Sequence, residues 1–405
     1  ILAFTFGYTM IVAETALGRM TRKSPVGAFA AVRKGGRSFG GWINAIIPIL
    51  IVPYYSVIGG WVIKYLVEYF RGNAKQLAED GYFTDFISNG VSTELCFMAF
   101  CAFTLIIIFA GVQNGIERVS KIMMPILIVL SVIIAVYSVT RPGALAGVKY
   151  FLVPNVKNFS WMTVVSAMGQ MFYSLSIAMG ILITFGSYMK KDTAIEDSTR
   201  NVEVFDTGIA IMAGLMIIPA VFAFSGGDPD TLQAGPSLMF ITIPKVFQNM
   251  GFGTVIGIVF FLLVLFAAVT SSIALTESAV STFEDELGWG RKKATVLVGV
   301  IMLALGSLSS LGYGPLAGIK IIGMQFLDLF DFLTNSVMMP IAALLTSLLV
   351  SRVVGIDKIE EEIIHGESAF RRKKVFVVMI KYLCPVFAII ILLSSVANAL
   401  GWIKM

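Results

Sequence analysis

Charge is scarce in this chain: Asp, Glu, Lys and Arg make up 14% of its 405 residues, against 57% hydrophobic residues and a mean hydropathy of +0.87. So little polar surface cannot coat a soluble globule of this length, and the composition reads as an all-α polytopic membrane protein. Histidine is nearly absent. The single imidazole, His365, lies in a charged loop, and no membrane Lys is near the serines, so a membrane enzyme built on an activated hydroxyl lacks its base. Cysteine is sparse as well. Cys96, Cys101 and Cys384 all fall inside apolar stretches, which argues against an extracellular disulfide, and their spacing suits no metal site. The net charge of +5 is read through its distribution between loops rather than as a nucleic-acid footprint, and no nucleic-acid partner is expected.

What the chain has instead is hydrocarbon-length apolar sequence. Ten stretches near 1–18, 42–67, 93–111, 122–139, 162–188, 204–225, 252–282, 294–311, 321–350 and 376–402 are each long enough to cross a bilayer. Alternate loops are basic: Arg19, Arg22, Lys23, Arg33, Lys34 and Arg37, then Lys190 and Lys191, then Arg291 to Lys293, then Arg371 to Lys374. These face the cytoplasm by the positive-inside rule, whereas 72–92 and 226–250 face outward. Ten spans would leave both ends outside, and Ile1 already lies within a span, so the chain is expected to be a fragment that begins after an earlier helix.

Several spans carry clustered polar groups within apolar sequence. Residues 170–180, QMFYSLSIAMG, place Gln170, Tyr173, Ser174, Ser176, Ala178 and Gly180 close together. Interhelical bonding is the default role of such groups, at about 1 kcal/mol or less each. A cluster of this density also suits an unwound segment, whose half-helix ends face a carboxylate and a cation. Thr270, Ser271 and Ser272 fall mid-span, IVPYYSVIGGW holds Pro53, Tyr55 and a Gly pair, and Asp206 and Glu14 put carboxylates into apolar sequence. A carboxylate near mid-membrane costs about 3 kcal/mol and therefore calls for a partner.

These residues resemble the neurotransmitter:sodium symporters, in particular their bacterial amino-acid transporters. The blocks that carry the resemblance are ETALGR at 14–19, PYYSVIGGW at 53–61, GIERVSKIMMP at 115–125, GQMFYSLS at 169–176, TSSIAL at 270–275, FEDELG at 283–288 and FLDLFDF at 326–332. The resemblance implies a LeuT-type fold of two inverted repeats with the site between them. Residues 1–405 would form a single transmembrane transporter domain lacking the family's first helix. In it, 1–140 are the remainder of the first repeat, 162–350 the second repeat and 376–402 the eleventh helix.

The resemblance also implies roles. Tyr55 would hold the substrate carboxylate and Tyr173 would lie over the site. Ser174 and Asp206 would bind a first sodium; the Ala267 carbonyl with the Thr270 and Ser271 hydroxyls would bind a second. All-oxygen ligation suits a hard cation. Glu14 would satisfy backbone freed by unwinding, with Gln170 a further polar group nearby. Asp331 would be an outer gate acid, and Asp285, near Tyr188, an inner one. Chloride-dependent relatives carry Asn and Ser where this chain has Asp206 and Ala210, so chloride is not expected.

Ala178 and Met179 depart from the family's Gly-aromatic-Gly turn. Met179 with Ile51, Tyr173 and Leu275 describes an adaptable apolar pocket, completed by Ser176 and Ser271, for neutral hydrophobic or aromatic amino acids. The expected activity is sodium-coupled symport by alternating access in the cell membrane, the inner membrane for a bacterium. An amino-acid receptor or channel on the same scaffold is the alternative.

Overall fold

The structure is a computed structural model and describes residues 1–32, 38–228, 232 and 235–399. Arg33, Lys34 and Arg37 of the first basic loop, part of the 226–250 loop and the end of the last expected span, 400–402, lie outside the described residues.

Among the described residues, eight helices are long and apolar enough to cross a membrane. Together with three shorter helices, we number them α1 (Tyr8–Thr21), α2 (Phe39–Phe70), α3 (Gly90–Phe109), α4 (Val112–Val139), α5 (Trp161–Ser174), α6 (Ile181–Tyr188), α7 (Ile195–Ser225), α8 (Gly253–Leu287), α9 (Arg291–Leu311), α10 (Phe326–Val354) and α11 (Lys373–Asn398). The ten expected spans are all present as helix, but two are built differently. The first is α1 preceded by a π-helical turn at Ala3–Gly7. The expected span at 162–188 is the broken pair α5 and α6, neither of which is long enough to cross alone. One boundary moves substantially: α7 begins at Ile195, nine residues before the apolar stretch. Its first turns carry Glu196, Asp197, Arg200 and Glu203, whose charge hides the helix from hydropathy.

Burial separates centre from periphery. Tyr8 to Arg19 of α1 are all buried, and α2 is the most enclosed of the long helices, whereas α4, α7 and α11 present most of their apolar side chains outward, as lipid-facing helices do. α2 packs chiefly on α8 and α3, and α1 on α6. The Gly pair of α2 serves this packing, since a side chain at Gly60 would meet the backbone nitrogen of Phe97 in α3 at 2.7 Å.

The basic loops gather at one end of the bundle through buried acids. Arg19, fully buried, bonds Glu362 at 2.7 Å, and Lys191 reaches the same carboxylate at 2.5 Å. Arg372 pairs through both nitrogens with Glu203 at 3.1 Å and lies 4.4 Å above the Tyr8 ring. Charges this enclosed are tolerated because each has its partner. These pairs bring the segments carrying Arg19, Lys191 and Arg372 to one face, in keeping with the positive-inside reading of those three.

Candidate functional site

The break between α5 and α6 organises the site. After Ser174 the chain leaves helical geometry for residues 175–180, with Ser176 at φ 55°, Ala178 at φ 58° and Gly180 at φ 71°. Left-handed backbone is disfavoured for residues with a Cβ by about 1 to 2 kcal/mol each, so surrounding contacts must hold Ser176 and Ala178 there. One such contact is direct: the Ala178 N–H donates to Glu14 Oε1 at 2.9 Å. Gly180 is needed for space as well as for φ, because a Cβ would meet Pro25 Cγ at 2.7 Å and the Asn44 carbonyl oxygen at 2.8 Å.

Beside the break lies a cavity of about 220 Å³, lined by Ile51, Tyr55, Tyr173, Ser174, Ser176, Met179, Ile181, Ser271, Ala274 and Leu275. At roughly 30 Å³ per water it accommodates a small molecule rather than a peptide. All eight residues expected to contact substrate line this one space, joined by Ile181 and Ala274. Helix geometry explains the convergence. Ile51 and Tyr55 lie one turn apart on α2, and Ser271, Ala274 and Leu275 share one face of α8. Tyr55 of α2 and Ser271 of α8 line the same cavity, so two of its walls meet there. The lining mixes the hydroxyls of Tyr55, Tyr173, Ser174, Ser176 and Ser271 with the apolar side chains of Ile51, Met179, Ile181, Ala274 and Leu275.

The expected cation ligands fall in two groups. Ser174 Oγ donates to Asp206 Oδ1 at 2.6 Å, so the end of α5 meets a carboxylate three turns inside α7. On α8 the Thr270 hydroxyl lies 3.0 Å from the Ala267 carbonyl oxygen and 3.1 Å from that of Phe266, and Ser271 stands beside it on the cavity wall. Both sets are oxygen-only, which suits a hard monovalent cation. Ser272 differs from its neighbours. It is buried and bonds Thr104 of α3 at 3.2 Å, an interhelical contact. Gln170 lies on the exposed side of α5.

The expected gate residues are only partly brought together. Asp331 accepts a bond from Tyr54, at 3.1 Å. Asp285 accepts the Ser24 N–H at 2.5 Å, which ties α8 to the loop after α1. Tyr188 does not bond Asp285. Its hydroxyl donates to Glu277 at 2.7 Å, and Glu277 also takes a two-pronged bond from Arg291, at 3.0 and 2.5 Å. Glu277 stands eight residues before Asp285, about 12 Å along α8, so a tyrosine at the end of α6 cannot serve both. Glu277 and Tyr54 were missed. The reasoning applied to Asp206 would have found Glu277, a carboxylate in an apolar helix. Tyr54 had no signal beyond adjacency to Tyr55.

A broken membrane helix beside a small mixed-polarity cavity, with two oxygen clusters at its edge, defines a membrane transporter rather than an enzyme. The chain belongs to the sodium:neurotransmitter symporter family, whose model matches residues 67–402. It is a multi-pass, sodium-dependent symporter with a small-molecule substrate, and its bacterial relatives point to the inner membrane. It is 33% identical over 395 residues to the uncharacterized sodium-dependent transporter YhdH of Bacillus subtilis, covering 96% of this chain and 87% of that one. A solved structure of MhsT in complex with L-phenylalanine is 32% identical and superimposes with a TM-score of 0.86 over 97% of this chain and 89% of that one. The human sodium- and chloride-dependent GABA transporter 2 is more distant, 24% identical over 427 residues, 90% of this chain and 67% of that one.

Proposed function

We propose that this symporter carries neutral, hydrophobic or aromatic α-amino acids, bound in the cavity beside the α5–α6 break. The observation that carries the reading is the cavity's mixed lining of hydroxyl-bearing and apolar side chains. Tyr55, Ser174, Ser176 and Ser271 offer hydrogen bonds to a zwitterionic head, and Ile51, Met179, Ile181 and Leu275 enclose an apolar side chain. The related MhsT has been solved with L-phenylalanine, which supports this substrate class.

In this reading Tyr55 donates to the substrate carboxylate. Ser174 and Asp206 hold one sodium, and Ala267, Thr270 and Ser271 hold another. A bound cation supplies positive charge beside the carboxylate, so the protein's part is to present oxygens and exclude water. Asp206 contributes a fixed negative charge, for which reason chloride is not required. Inward access is closed by the bonds of Tyr188 to Glu277 and of Ser24 to Asp285, and by the Thr184 hydroxyl 3.3 Å from Ser278. Transport requires these bonds to open while the outer side closes. Residues 1–140 and 162–350 act as parts of two repeats moving against each other, with 376–402 flanking them.

The substrate class is tested by thermal stabilisation of the purified protein in sodium against a panel of amino acids. Phenylalanine, leucine and their neutral neighbours stabilise it, by RT ln(1 + [L]/Kd). Stabilisation by lysine or glutamate, and by none of the apolar amino acids, contradicts the reading.

A further inference from the structure

Tyr54 takes no part in the scheme above, yet its hydroxyl is the meeting point of three helices. It precedes Tyr55 on α2, and about 100° of helix rotation turns it from α8 toward α5 and α10. The side chain is 2% exposed. Its oxygen lies 3.1 Å from Asp331 Oδ1, 3.4 Å from the Tyr173 hydroxyl and 3.3 Å from Thr334 Oγ1.

The donor inventory orders these contacts. An ionised carboxylate only accepts, so the single Tyr54 proton goes to Asp331. Thr334 gives its own proton to the Phe330 carbonyl at 2.7 Å and has none left for Tyr54. Of the three partners, Tyr173 alone can donate to the Tyr54 oxygen. The result is a directed chain from Tyr173 through Tyr54 to Asp331. One end is a wall of the cavity. The other is the sixth residue of α10, about 8 Å from the outward end of that helix. Tyr54 thus stands between the cavity and the outer side, joining a wall beside the break to a helix that does not touch the cavity.

We infer that Tyr54 is a positioning residue for transport: accepting from Tyr173 and donating to Asp331, it makes the outer wall of the cavity close as one unit. The inference rests on the cavity being the substrate site. The bond to a charged group sets the expected size, because its loss corresponds to about tenfold or more in an equilibrium.

The test is the dissociation rate of labelled phenylalanine from the purified full chain in sodium. Tyr54→Phe keeps the ring, removes the oxygen and speeds release about tenfold, while the sodium concentration for half-maximal binding stays unchanged. Tyr173→Phe breaks the same chain, so the double variant releases substrate no faster than Tyr54→Phe alone. Unchanged release, or penalties that multiply, overturns the inference. If Tyr54→Phe does not fold, Tyr173→Phe and Asp331→Ala give the same cycle with the same two outcomes. Tyr55→Phe run alongside separates the claims. Weakened binding there with unchanged release in Tyr54→Phe refutes the coupling alone, and unweakened binding in Tyr55→Phe refutes the site.

Discussion

The carboxylate of Glu14 in α1 accepts the backbone N–H of Ala178, 164 residues away in the break between α5 and α6, at 2.9 Å. Glu14 is fully buried, and among the described residues its second oxygen has no hydrogen-bond partner. An unwound segment inside a membrane frees backbone groups that no solvent can satisfy, so a side chain from a neighbouring helix has to do so. Glu14→Ala leaves the Ala178 N–H orphaned, at a cost of about 1 to 3 kcal/mol. The apparent melting temperature in detergent should fall, and Glu14→Gln, which retains an acceptor oxygen, should recover most of the loss. Equal damage from both substitutions would show that the charge, and not the bond to Ala178, is what matters.

Asp206 and Ser174, 2.6 Å apart, make the second prediction. If this carboxylate balances a sodium ion, Asp206→Asn leaves the cation's charge uncompensated, and the sodium concentration for half-maximal uptake rises about tenfold or more. Wild-type uptake should persist when gluconate replaces chloride. Chloride-dependent uptake by wild type, or unchanged sodium activation in Asp206→Asn, would remove Asp206 from that role.

The third concerns Glu277, which is fully buried and held by Arg291 and Tyr188. Deleting one partner of such a pair strands the other charge, at about 3 kcal/mol here because Arg291 is 22% exposed. Arg291→Ala should therefore lower the melting temperature clearly, and adding Glu277→Gln should restore part of it. A double variant worse than the single would contradict the pairing.

The membrane class, the spans and the break at 175–180 were legible because apolar length and clustered small polar residues are local signals. That the eight substrate-site positions line one cavity was legible only through the resemblance, since periodicity does not say that α2, α5 and α8 meet. What sequence could not resolve were choices between near neighbours. Tyr54 and Tyr55 are equivalent until helix rotation sends one to α10 and the other to the cavity wall. Glu277 and Asp285 both follow the serine row of α8, and only the position of α6 assigns Tyr188 to the first. The start of α7 was hidden because charged inner turns look like a loop to hydropathy.

The most direct test of the account is uptake of labelled phenylalanine in sodium and in choline, for wild type and Tyr55→Phe at matched expression. The cavity reading predicts saturable uptake in sodium, none above background in choline, and at least about tenfold weaker apparent affinity once the phenol loses its bond to the substrate carboxylate. Equal uptake in choline, or a Tyr55→Phe variant with wild-type affinity, would contradict it.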